Sequence, residues 1–190
     1  MSSLLIVNIG KLVQVREQTL SPLRGEQMDV LPVMDNAFLL AETGKISAFG
    51  PMSELPQDFA RSVNEVIDAA GRMVLPAFCD CHTHLVYAGS REIEFIDKIR
   101  GLSYQEIAAR GGGILNSACL LHETSEEELF RQAMVRVEEV MHFGTGAIEI
   151  KSGYGLTTED EIKMLRVVRR IAEESPLTVK ATFMGAHAFP

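Results

Sequence analysis

At 190 residues and 46% apolar side chains, the chain has hydrophobic material for one large domain or two small ones, which excludes a disordered segment. Its 18 Lys and Arg against 26 Asp and Glu give a formal charge of −8, and with no basic cluster this argues against nucleic acid or an anionic membrane surface as main partner. No run reaches the ~18 apolar residues of a membrane helix, the first residues lack the basic segment of a secretory signal, and cysteines at 79, 81 and 119 make no disulfide framework, so a reduced, cytoplasmic setting is expected.

Residues 1–72 predict a small β-rich module. Leu4 to Val7 is apolar, and Ala37 to Leu40 and Ile46 to Phe49 flank Glu42-Thr43-Gly44-Lys45, a hairpin signal in which Gly supplies positive φ. Pro51, Pro56 and Gly71 punctuate the rest. From residue 73 strands and helices alternate. A first strand is predicted over 73–81 and an amphipathic helix over 126–142. That helix has Thr124 or Ser125 as N-cap before three glutamates, and Gly144 as its stop. Leu129, Phe130, Ala133, Met134, Val137, Val140 and Met141 fall on one helical face.

A second strand follows over 146–151. Thr158 with Glu161 reads as the capping box of another helix, with Ile162, Leu165, Val168, Ile171 and Ala172 inward and Pro176 as stop. A third strand runs from Leu177 to Phe183. Strands separated by helices of this length predict βαβ units and a parallel sheet. A closed (β/α)₈ barrel takes ~250 residues, so three units read as the front portion of a larger enzyme. A self-contained sheet of three parallel strands is the alternative.

The most informative stretch is Cys79-Asp80-Cys81-His82-Thr83-His84, which follows the apolar run from Met73 to Phe78. Residues two apart on a strand share a face at ~3.3 Å rise, so His82 and His84 lie ~6.6 Å apart at Cα and both imidazoles can reach one metal at ~2.1 Å. Asp80 falls on the same face. Such a His-x-His is a common way for a barrel hydrolase to begin a catalytic metal site; two packed strand-end histidines are the plain alternative. Cys79 and Cys81 have the opposite parity and are expected to face helices as small buried hydrophobes.

Four stretches together resemble one family. They are His82-Thr-His-Leu-Val-Tyr-Ala-Gly-Ser-Arg-Glu92, Tyr104-Gln-Glu-Ile-Ala-Ala-Arg-Gly-Gly-Gly-Ile114, Glu149-Ile-Lys-Ser-Gly-Tyr-Gly-Leu156 and Gly185-Ala-His-Ala-Phe-Pro190. They resemble imidazolonepropionase of the amidohydrolase superfamily, strongly from about residue 73 to 190 and more loosely before. The resemblance implies an α/β fold: a partial TIM (β/α)₈ barrel, its first three β/α units in residues 73–190, preceded in 1–72 by part of a composite β-sandwich domain. It implies metal-dependent hydrolysis of 4-imidazolone-5-propanoate to N-formimidoyl-L-glutamate, a step of histidine degradation, with zinc or iron as the metal. In the family a further His, an Asp ligand and the acid/base residues come from later strands. No catalytic acid or base is therefore expected in these 190 residues, and the chain alone is expected to be inactive.

By the same resemblance His82 and His84 are metal ligands, and Arg91, Tyr104, Tyr154 and His187 are substrate contacts. The chemistry suits those roles. A metal at His82 and His84 would supply hydroxide near neutral pH. The Arg91 guanidinium can grip a propionate with two parallel bonds, although a surface arginine is the default. Tyr104 matches a family position near the substrate, although a half-buried aromatic on a short helix is commonplace. Tyr154 sits between glycines that can turn its phenol toward a barrel mouth, and His187 can donate to a ring carbonyl or a developing oxyanion.

The remaining candidates are weaker. Asp80 either orients a ligand imidazole or belongs to a structural ion pair. Glu149 and Lys151 share a strand face opposite Ile148 and Ile150, and Lys151 is expected to pair with Glu149 or Asp80. Binuclear relatives of the resembled family place their carbamylated bridging lysine on a later strand, so that role is not assigned to it. Gly111-Gly112-Gly113 can present N–H groups to a carboxylate or form a flexible loop. His142 complements a helix dipole, and His122 has no assigned role. Two rival readings stay open: another amidohydrolase, such as a deaminase of a nucleobase-like ring, and a non-catalytic metal- or ligand-binding module. A small-molecule substrate is the expected partner; a homo-oligomer is compatible with the sequence, and the open edge of the third strand predicts self-association.

Overall fold

The computed structural model describes residues 2–16, 22–59 and 62–187. The chain forms two compact units, residues 1–76 and 77–190. In the first unit β1 (Ser3–Val13) is the hub of a five-stranded sheet. β2 (Val33–Glu42) runs antiparallel to β1, and β3 (Lys45–Pro51) runs antiparallel to β2. β4 (Glu65–Asp68) lies parallel to Leu4–Val7, and β5 (Met73–Val74) lies parallel to Lys11 and Leu12. The predicted hairpin joins β2 to β3. Thr43 takes a positive φ (51°) as well as Gly44 (77°), the two-residue turn whose twist matches paired antiparallel strands. Leu5, Ile9, Leu12, Ala37, Phe38 and Leu40 are among the unit's buried side chains.

The strand predicted over 73–81 is two strands. Met73 and Val74 close the first unit's sheet, whereas β6 (Phe78–Thr83) opens the second unit's. Pro76 stands between them without an N–H for a ladder, so one apolar run in sequence serves two sheets.

In the second unit β6, β7 (Thr145–Lys151) and β8 (Thr178–Thr182) form a parallel sheet in the order β6-β7-β8, as predicted. Between β6 and β7 come α1 (Glu92–Ile99), α2 (Tyr104–Ala109), α3 (Ile114–Glu123) and α4 (Glu126–His142). Ser125 caps α4 by accepting the Glu128 N–H at 3.2 Å, and the predicted apolar face of α4 is the one that packs inward. Ile148 and Ile150 of β7 are 1% and 0% exposed beneath it. Burial of this kind stabilises by roughly 1.5–3 kcal/mol per aliphatic side chain.

α5 (Thr158–Glu174) links β7 to β8 and departs from prediction in two ways. Its N-cap is Thr157, whose Oγ1 accepts the Asp160 N–H at 3.2 Å, not Thr158. Its buried face is Asp160, Glu161, Met164, Val167, Val168 and Ile171, whereas Ile162 and Ala172, predicted inward, are exposed. The two acidic residues at its start are buried, which an apolar pattern cannot signal. Cys79 and Cys81 are likewise exposed rather than packed under helices, since all of Phe78 to His82 is exposed on both faces of β6. No helix among the described residues is long and apolar enough to cross a membrane.

Candidate active site and metal-binding residues

β6 delivers the two strand-end histidines. Their ring centroids are 5.9 Å apart at 60°, with His82 exposed and His84 partly buried. His84 Nδ1 is buried and has no hydrogen-bond partner among the described residues. Burial first, then the neighbouring His187 and His82, holds the His84 imidazole below its usual pKa of 6.5. The ring is therefore neutral near pH 7, the form that offers a lone pair to a metal. A buried orphan nitrogen on a neutral imidazole beside a second histidine fits a metal ion. Among the described residues, no group of three or more His, Cys, Asp or Glu side chains is placed to hold one. Asp80 orients neither imidazole; its Oδ1 accepts the His82 backbone N–H at 3.2 Å.

Tyr154, on the loop after β7, stacks on His84 with 4.6 Å between centroids and 17° between planes. His187, on the loop after β8, lies 5.0 Å from His84 and 5.7 Å from Tyr154. All three rings thus come from the same end of a parallel sheet, the end at which α/β barrels build their sites. The Ser152 hydroxyl ties two of these loops together by accepting the Met184 N–H at 2.9 Å. Gly153 has φ 113°, and a Cβ there would lie 2.8 Å from His187 Cβ, so only glycine lets the histidine in. The end of the last motif, residues 188–190, lies outside the described residues.

Arg91 lines a cavity of about 250 Å³ together with His84, Tyr87, Ser117 and Tyr154. Its Nε and Nη2 donate to Glu94 Oε2 at 2.9 and 2.5 Å, while the Gly113 N–H donates to Glu94 Oε1 at 2.8 Å. The triple-glycine loop does present an N–H to a carboxylate, and the carboxylate is the protein's own. The Arg91 hydrogen bond holds the Glu94 carboxyl below its usual pKa, against the opposing effect of burial. Tyr104 begins α2 and is 66% exposed; it is not among the side chains lining this cavity.

Lys151 Nζ lies 2.6 Å from Glu149 Oε1, which also accepts from the Thr182 hydroxyl, so Glu149 rather than Asp80 is its partner. His142 Nδ1 is 2.7 Å from the Glu138 carbonyl in its own helix, and His122 Nδ1 is 2.8 Å from Asp160. Sequence reasoning missed Glu94 and Glu161. The signal for Glu94 was present, since it stands three residues after Arg91 at a helix start, the spacing of an intrahelical ion pair.

No family model matches the chain. The imidazolonepropionase of Flavobacterium johnsoniae is 58% identical over 186 residues, covering 98% of this chain and 44% of that protein. That of Christiangramia forsetii is 55% identical over 188 residues, covering 99% and 45%. The chain therefore spans somewhat under half the length of these relatives. Among solved structures, Escherichia coli guanine deaminase matches with a TM-score of 0.57 at 14% identity, over 97% of this chain and 36% of that one. At that identity the likeness shows the fold alone, a partial, unclosed TIM-barrel-like fold with a preceding β-sheet. The sequence likeness is far stronger and nearly continuous: over 98–99% of its length the chain is similar to imidazolonepropionases, of which it spans 44–45%.

Proposed function

We propose that these residues form the metal- and substrate-binding part of a cytoplasmic enzyme that hydrolyses the cyclic amide of 4-imidazolone-5-propanoate to N-formimidoyl-L-glutamate in histidine degradation. The supporting observation is the convergence of His84, Tyr154 and His187 at one end of the sheet, with Arg91 in the adjoining cavity. A planar polar ring with an anionic tail is the kind of molecule that aromatic hydrogen-bonding groups and a guanidinium together recognise.

In this reading His82 and His84 hold one metal ion, zinc or iron. When bound, the metal supplies an activated water for the ring carbonyl. The other roles belong to the chain's own side chains. Arg91 grips the propionate with the donors that Glu94 leaves over. Tyr154, flat against His84, hydrogen-bonds the substrate, and Tyr104 contacts it from α2. His187 donates to the carbonyl oxygen as negative charge develops there. Water adds across the C–N bond, placing OH on the carbonyl carbon and H on the ring nitrogen. The groups that carry that proton are expected outside residues 1–190.

The test is hydrolysis of 4-imidazolone-5-propanoate, with metal analysis, on the 190-residue chain and on a chain extended to the length of its relatives. Activity and metal retention in the longer form only are expected. A longer form that retains metal but leaves this substrate intact would remove the substrate assignment and keep the metal hydrolase.

A further inference from the structure

Glu161 is a buried carboxylate that the helix it sits on does not use. It is 5% exposed, and the cap of α5 is completed without it by Thr157 and Asp160. Both of its oxygens turn instead to the loop after β7. The Gly153 N–H donates to Oε1 at 3.1 Å and to Oε2 at 2.9 Å, and the Gly155 N–H donates to Oε1 at 2.7 Å.

These two amides flank Tyr154. A carboxylate that accepts from the residues on either side of an aromatic fixes the backbone on both sides of it, and with that the direction of its side chain. The seating leaves no slack, since a Cβ on Gly155 would lie 2.5 Å from the Glu161 nitrogen. The loop backbone thus rests directly on the first turn of α5, and the Tyr154 ring it carries stacks on His84.

We infer that Glu161 is a positioning residue whose carboxylate clamps Gly153 and Gly155 and thereby sets Tyr154 against His84 and the substrate. The inference rests on the hydrolase reading above. Oε1 accepts from both amides, and Oε2 gives Gly153 its second and shorter bond. A glutamine at this place accepts at one end only and turns an NH₂ toward an N–H at the other, so Glu161→Gln breaks half the clamp with little change of volume.

The experiment compares Glu161→Gln, Tyr154→Phe and the double variant in the metal-loaded protein at the length of its relatives. Glu161→Gln is expected to lower kcat/KM about tenfold, the value of a charge-assisted hydrogen bond, with metal content unchanged. The double variant is expected to lie within about twofold of the worse single variant, as for residues acting through one another. Independently of turnover, amide hydrogen exchange in the wild-type segment 152–156 is expected to be slow, and about tenfold faster in Glu161→Gln.

Two results overturn the inference. One is a pair of single effects that multiply in the double variant. The other is a wild-type segment that exchanges as fast as an open loop, a readout that stands even where Glu161→Gln does not fold. Slow exchange in a wild type that ignores 4-imidazolone-5-propanoate would uphold the clamp while removing the substrate reading.

Discussion

The guanidinium of Arg91 carries five N–H donors, and Glu94 engages Nε and Nη2, so among the described residues Nη1 and the second Nη2 proton have no protein partner to compete with a ligand. Arg91→Ala in the active enzyme is therefore expected to raise KM for the propionate substrate about 100-fold with a smaller effect on kcat, and Arg91→Lys, a point charge without the fork, to restore little of it. An unchanged KM would remove Arg91 from substrate binding. Glu94 adds a pH dependence. Its folded pKa is depressed, first by the Arg91 hydrogen bond, with the Gly113 amide adding to it against burial. The folded state thus holds this proton less readily than the unfolded chain. The stability Glu94 contributes is complete above its ordinary value of 4.5 and is lost as pH falls through the lower folded value. Thermal melts from neutral pH downward should show wild type losing more stability on the acid side than Glu94→Gln; equal losses would mean that this lock does not support the fold. The residues legible in the sequence, His82, His84, Arg91, Tyr154 and His187, each carry their own chemistry in a short motif. Glu94 and Glu161 matter through what they hold, and for Glu161 the helix-start spacing pointed to a cap that Thr157 and Asp160 supply instead.

At the scale of elements, α4 and α5 bury one continuous apolar layer with β7, and the face that α5 presents separates two readings of its sequence. Apolar spacing alone points Ile162 inward, whereas Met164 is 0% exposed and Ile162 is 43% exposed. Met164→Ala is expected to cost about 2–5 kcal/mol and Ile162→Ala well under about 1 kcal/mol in denaturant titrations, from the cavity left in one case and not the other. The reverse order would restore the predicted face. α4, β7, β8 and the β2–β3 hairpin were legible because their periodicity and turn residues agree with where they pack. The break at Pro76 was not, since the apolar run crosses it and only pairing partners assign its two halves to different sheets. α1 and α3 were illegible for another reason, and α2 was read only as a short helix carrying Tyr104. The three are 8, 6 and 10 residues long, too short for periodicity to decide, and the apolar stripe that α1 does carry, Ile93, Ile96 and Ile99, lies exposed while Glu94 and Asp97 are buried.

For the molecule as a whole, the second unit's sheet has two outer strands, and among the described residues neither β6 nor β8 is paired on its far side. β8 carries one charge, Lys180, and exposed phenylalanines stand beside both outer strands, Phe78 at 62% and Phe183 at 67%. Unpaired strand edges next to exposed aromatic surface favour pairing with a second chain. The formal charge of −8 opposes that approach by repulsion, which salt screens. Self-association of the 190-residue chain should therefore rise with concentration and rise further at ~0.5 M salt, where charge repulsion is screened within a few ångströms. Sedimentation velocity over a concentration series at two salt levels reads both dependences. Ala181→Lys adds a charge at an exposed position of β8, beside Lys180, and is expected to shift the distribution toward monomer without altering the far-UV circular dichroism. Association that weakened with salt would point to ion pairs between chains instead of strand pairing. A monomer under every condition would mean that both edges are covered in solution.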